Sequence, residues 1–190
     1  MNQKDLFDVD WSKIPAPSDD GGAAHLTGMA IPPISLLATD DTSVTLAALR
    51  GRTVVFAYPR TGEPGRIALV DDWDMIPGAR GCTPHTCGFR DLFAELKAAG
   101  ASQVFGLSTQ SNAYQTEMAT RLHLPFAVLS DEKLELTHAL NLPTMEVAGL
   151  TLIKRLALII DDARITHVFY PVFPPDKNAG DVLRWLKENA

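Results

Sequence analysis

The hydrophobic positions along the chain change period several times, and each change marks an element. A continuous apolar run, TVVFAY at 53–58, lies between the Arg50–Gly51 turn and Pro59. Such a run predicts a central strand buried on both faces. TSVTLAAL before it predicts a short strand around Val44. After Cys82 the period becomes helical. Phe89, Leu92, Phe93, Leu96 and Ala99 recur at three and four residues, one core-facing stripe ended by Gly100. QVFGLS (103–108) predicts another strand, SNAYQTEMATRLH (111–123) a helix, FAVLS (126–130) a third strand, and 132–140 a short helix. RLALIIDDARITHVFY predicts two strands joined by a tight turn at Asp161–Asp162–Ala163. Val182, Leu183 and Leu186 make the inward face of a last helix, which Asp176 is placed to cap.

Strand–helix alternation followed by a hairpin and a final helix predicts an α/β fold, a central mixed sheet flanked by helices. A thioredoxin-like arrangement fits that order. Two segments stand outside it. Residues 1–27 form a polar N-terminal extension containing PAPSDDGGAA, expected to bury little and to drape over the domain at 28–190. Residues 60–81 carry several Gly and Pro breakers and no period, so they read as an inserted loop. Loops of that length often act as lids or binding loops, and this one leads straight into the cysteines.

Composition narrows the function classes. The 190 residues, 46 % hydrophobic, suffice for one domain with a proper core. With 17 basic against 23 acidic residues the net charge is −6, which argues against a nucleic-acid or anionic-membrane surface. The greasiest segment, VAGLTLIKRLALII, is broken by Lys154 and Arg155, so no membrane span is expected. The N-terminus lacks the basic flank and apolar run of a secretory signal. Two cysteines are too few for a disulfide scaffold. The expected location is cytoplasmic, where thiols stay free unless they do chemistry.

Both cysteines lie in GCTPHTCGFRD, residues 81–91, with His85 between them. Thr83 and Pro84 suit a helix opening, Thr83 as cap and Pro84 in the first turn. Cys82 then sits at the helix mouth, where free N–H groups and the positive dipole end favour an anion. A free thiol is only about 3 % thiolate at neutral pH, and the thiolate is the nucleophile. Cys87 lies five residues on. In an intact helix such positions are ~8–9 Å apart at Cα, whereas a disulfide tolerates at most about 7 Å. The helix holds both thiols but must unwind before they bond. A zinc site needs a fourth ligand that is absent nearby, and the spacing is not CxxC. A redox pair and two unrelated buried cysteines both remain compatible with these residues. His85 is expected on the solvent face, and Arg80 in a solvated loop.

The chain resembles peroxiredoxins of the PrxQ or bacterioferritin comigratory group. The resemblance rests on GMAIPPISLL, VTLAALRGRTVVFAYP, GCTPHTCGFRD, VFGLST, PFAVLSDE, RLALIIDDARITHVF and DVLRWLKE, in that order, over roughly residues 28–189. It implies a thiol-dependent peroxidase acting on hydrogen peroxide or small organic hydroperoxides. Cys82 would be oxidised to a sulfenic acid and Cys87 would resolve it as an intramolecular disulfide. A thioredoxin-like dithiol reductant would reopen that bond, with no metal or organic cofactor, in a monomer or homodimer. Arg155 matches the family arginine before the RxxFLID-type strand and would stabilise the thiolate. The PxxxTxxC motif is interrupted: its proline and threonine positions hold Met75 and Ala79. Pro59 and Thr61, ahead of the insertion, are expected to take those roles. An alternative function is a redox sensor whose 82–87 disulfide switches a partner-binding surface.

Overall fold

The computed structural model describes residues 9–66 and 68–190; the first eight residues of the polar extension fall outside them. Nine strands and five α-helices are present among the described residues. β3 (Arg52–Ala57) is the predicted central strand. It pairs in parallel with β4 (Gln103–Ser108) and antiparallel with β8 (Leu156–Asp161). The full sheet runs β2-β1-β5-β4-β3-β8-β9, where β1 is Ser35–Ala38, β2 Ser43–Thr45, β5 Val128–Ser130 and β9 Arg164–Phe169. Asp162 and Ala163 close the β8–β9 hairpin with φ of 46° and 64°, the left-handed pair that a two-residue turn needs. The short hairpin of β6 (Thr144–Val147) and β7 (Leu150–Ile153) stands apart from the main sheet. Neither β1 nor this hairpin follows from the sequence periodicity.

Strand alternation divides the core in two. Val54, Phe56 and Tyr58 face helices α1 (Cys82–Asp91), α2 (Phe93–Ala98), α3 (Asn112–Arg121) and α5 (Asn178–Glu188), meeting Phe89, Leu96, Met118, Val182 and Leu186. Val55 and Ala57 face the other side with Leu136 and Leu140 of α4 (Glu135–Leu140). The N-terminal extension contributes to this second layer. Ala23 and Leu26 are buried in it, Leu26 with no exposed area, so a segment expected to bury little supplies part of the core. Beyond Leu26 the chain joins the sheet margin. Ala30 bridges Arg164, Gly28 N donates to Ile165 O (2.7 Å), and Ile165 N donates to Met29 O (2.9 Å).

Three helix expectations need correction. The apolar stripe from Phe89 to Ala99 spans two helices, because Leu92 leaves helical geometry at φ −99°, ψ 11°. The first helix begins at Cys82 itself. Its N-cap is Gly81 at φ 99° with no side-chain cap, and Thr83 is buried inside the first turn. Asp176 does not cap the last helix: it lies in a 3-10 turn, Pro175–Lys177, that runs directly into α5.

Candidate active site

Cys82 opens α1 at the end of the inserted segment, which leaves β3 after Tyr58 and Pro59 and forms one 3-10 turn at Trp73–Met75. Both ends of that segment are anchored. At its start, Thr61 N and Oγ1 donate to Gln110 Oε1 (2.9 and 3.2 Å), and Gln110 Nε2 donates back to Thr61 O (3.2 Å). Ser108 Oγ donates to Pro59 O at 3.2 Å. At its end, Arg155 Nη2 donates to the carbonyls of Gly78, Ala79 and Arg80 at 3.3, 3.3 and 3.1 Å.

The same Arg155 nitrogen lies 3.2 Å from Cys82 Sγ. Arg155 immediately precedes β8, is 3 % exposed, and projects from the sheet into the helix mouth. Cys82 Sγ also donates to Ala79 O at 3.5 Å and is itself 3 % exposed. The buried sulfur at the helix N-terminus thus faces a guanidinium held by three carbonyls. Arg155 Nε is buried without a hydrogen-bond partner among the described residues. The site therefore holds one donor in reserve.

His85 corrects the sequence expectation most sharply. It is fully buried rather than solvent-facing. Its Nδ1 is 3.0 Å from Arg155 Nη1 and its Nε2 is 2.8 Å from Asn178 Oδ1. Arginine can only donate and a carboxamide oxygen can only accept. His85 is therefore the neutral tautomer with its proton on Nε2. Burial pushes its protonation well below the usual histidine range; the neighbouring Arg155 charge adds to this, and the Asn178 bond opposes it. The ring packs edge-on against Phe56 and Phe89, with centroids 5.2 and 5.4 Å away. Asn178, His85, Arg155 and Cys82 form one chain of contacts.

The two cysteines are both free and buried, but they differ chemically. Burial pushes the Cys87 thiol up, with Asp91 adding to this and the nearby Arg90 and Arg121 charges only partly offsetting it. Cys87 thus stays a thiol while Cys82 faces Arg155. Tyr58, whose hydroxyl donates to Gln115 Oε1 at 3.0 Å, is likewise pushed up by burial and, second, by the Cys82 sulfur.

Among the residues singled out from the sequence, the structure brings Cys82 and Arg155 into contact, with Cys87 on the same helix. Pro59 and Thr61 sit in a separate cluster around Gln110, and no hydrogen bond joins Thr61 to Cys82 among the described residues. Arg80 directs its side chain to an ion pair with Asp74, so it is not simply solvated. His85 and Asn178 were missed. The signal for His85 was its position three residues after Cys82, on the same helix face; Asn178 has none, being 93 residues away from His85.

The sequence model of the family described as Redoxin matches residues 26–183. Peroxiredoxin Q, chloroplastic, of Oryza sativa subsp. japonica is 30 % identical over 162 residues, 84 % of this chain. The chain spans 66 % of that relative's length. Peroxiredoxin bcp1 of Schizosaccharomyces pombe is 31 % identical over 131 residues, 68 % of this chain and 58 % of that one. Among solved structures, peroxidoxin BcpB from Mycobacterium tuberculosis superposes with a TM-score of 0.69 at 24 % identity, covering 86 % of this chain and 97 % of that one. Xylella fastidiosa PrxQ superposes at 0.68 with 20 % identity, covering 86 % and 96 %. The structural likenesses show the thioredoxin-like fold. With the family match over most of its length, the chain belongs to the Redoxin family, among the peroxiredoxins of the Q or bacterioferritin comigratory group.

Proposed function

We propose that the chain is a thiol-dependent peroxidase acting on hydrogen peroxide and small organic hydroperoxides. The observation that carries this is the 3.2 Å contact between Cys82 Sγ and Arg155 Nη2 at the mouth of α1. The Cys82 thiolate attacks one peroxide oxygen, the O–O bond breaks, and the other oxygen leaves protonated as water or an alcohol. Arg155 stabilises both the attacking anion and the charge developing on the leaving oxygen. The 3 % exposure of Cys82 favours small substrates. The names of the relatives support the reading. So does the likeness to the bacterioferritin comigratory protein of Xanthomonas campestris, a protein with alkyl peroxide reduction activity.

In this proposal Cys87 resolves the sulfenic acid by forming an intramolecular disulfide. A thioredoxin-like dithiol in a reducing, cytoplasmic compartment then returns both thiols. No metal or organic cofactor enters the cycle. Cys82, Cys87 and Arg155, which carry the oxidative steps, come from one chain, so a monomer or a homodimer serves. Pro59 and Thr61, in the cluster around Gln110, anchor the start of the loop that leads to Cys82.

The test is stopped-flow oxidation of the reduced protein by hydrogen peroxide and by cumene hydroperoxide. Cys82→Ser is expected to abolish it, whereas Cys87→Ser leaves a Cys82 sulfenic acid that a trapping reagent captures. Peroxide consumption by Cys82→Ser at the wild-type rate would rule the proposal out.

A further inference from the structure

The residue that starts α1 is held from outside by the N-terminal arm. Gly81 lies between Trp11 and Pro175: a methyl group on it would come within 2.6 Å of Trp11 Cη2 and closer still to Pro175 Cγ. Trp11 and Pro175 therefore pack directly against the backbone at Gly81. Its indole is fixed from two sides. The ring meets Phe173 edge-on, with centroids 6.1 Å apart. The 3-10 turn that carries it, Trp11–Lys13, is capped by Asp10, whose Oδ1 accepts from Ser12 N (3.2 Å) and Ser12 Oγ (2.6 Å). Further along the arm, Asp20 accepts from Lys154 Nζ (2.6 Å) and from the Tyr170 hydroxyl (2.7 Å). The arm thus grips the chain beside Cys82 and again beside Arg155.

Opening is what the cysteine pair requires. Five helical residues hold the two Cα atoms farther apart than a disulfide allows, by the geometry given above. The first turn must come apart, beginning with the bond from His85 N to Gly81 O, now 3.0 Å. Gly81 cannot swing outward while Trp11 stands against it.

We propose that Trp11 is a positioning residue for the resolving step. By holding the first turn of α1 closed, the arm sets how long the Cys82 sulfenic acid lasts before Cys87 captures it. This rests on the peroxidase reading of Cys82. Two reactions compete for the sulfenic acid. In one, the Cys87 sulfur attacks the Cys82 sulfur, an S–S bond forms, and hydroxide leaves and takes up the thiol proton as water. In the other, a second peroxide transfers an oxygen to the Cys82 sulfur, giving a sulfinic acid and water or an alcohol. A tighter clamp shifts the outcome toward the second.

The experiment follows both oxidation steps by stopped flow with hydrogen peroxide and measures the sulfinic fraction by mass spectrometry. Hydrogen exchange of the peptide spanning 81–88 is recorded on the reduced protein. The variants are Trp11→Ala, Trp11→Phe, Phe173→Ala and, on the exposed side of the same turn, Lys13→Ala. Loss of one edge-to-face aromatic contact predicts resolution about threefold or more faster in Trp11→Ala, with a smaller sulfinic fraction and faster exchange. Phe173→Ala shifts the same way, Trp11→Phe recovers most of the wild-type behaviour, and Lys13→Ala matches wild type. Unchanged or slower resolution and exchange in Trp11→Ala overturns the clamp while leaving the peroxidase intact. If peroxide fails to oxidise wild-type Cys82, the peroxidase reading falls, and the exchange data still decide whether Trp11 holds the helix.

Discussion

Arg155 is the residue on which the site converges, since its two terminal nitrogens reach a sulfur, an imidazole and three carbonyls at once. A lysine carries the same charge but not the planar fork. Arg155→Lys is therefore expected to slow Cys82 oxidation by about 10²-fold, the scale of losing one preorganised donor, as read by stopped flow with hydrogen peroxide. His85 gives the protein a pH dependence of defined sign. Buried and beside Arg155, it refuses a proton that an unfolded histidine takes up near pH 6.5. Below that pH the unfolded state binds more protons, so stability falls by up to about 1.4 kcal/mol per pH unit until the folded histidine protonates. Above it neither state is charged and the effect vanishes. His167, lowered by burial, acts in the same direction, so the measurement is a difference. Urea unfolding between pH 5 and 8 should show a steeper acid loss in wild type than in His85→Gln. Equal slopes would contradict the buried neutral assignment. The sequence made Cys82 and Arg155 legible because each lies inside a recognisable run. It hid the burial of His85, which is decided by Asn178 and Arg155, neither of them local.

At the scale of elements, the continuous apolar strands were readable because burial on both faces leaves no other pattern. The helix break at Leu92 was not readable, since the apolar stripe continues through it at the same spacing. β1 and the β6–β7 hairpin are four-residue strands, too short for an alternation to register. One strand position carries a sharp requirement. Gly106 in β4 packs so that an added Cβ would lie 3.1 Å from Val128 Cγ1 and 3.2 Å from Phe56 Cζ. Phe56 is itself pinned by a stacked Phe89 at 4.0 Å and cannot retreat. Gly106→Ala is expected to destabilise the protein by about 1–3 kcal/mol, seen as a lower urea midpoint with an unchanged slope. A neutral substitution would mean that the Phe56–Phe89 stack shifts freely.

For the whole molecule, the arm and the inserted loop are fastened to adjacent residues, Lys154 and Arg155, rather than added at a distance. Composition alone suggested a polar arm, because Ala23 and Leu26, set after a run of Pro, Asp and Gly breakers, carry no periodicity. The core nevertheless counts them. Leu26→Ala, at a fully buried position, is expected to cost about 2–5 kcal/mol, measurable by thermal or urea unfolding. A cost under about 0.5 kcal/mol would show the arm to be dispensable for the core.

The pairing of residues 28–31 with the start of β9 has a further consequence, for life at high concentration. A sheet of seven strands has two margins, and each bare margin is a template for another molecule's strand. β2 limits one margin by being only three residues long. At the other, the Gly28, Met29 and Ile31 backbone groups occupy the donors and acceptors of Ala163 and Ile165. A chain cut before residue 32 would offer those groups to its neighbours, and strand-to-strand association would become the route by which it leaves solution.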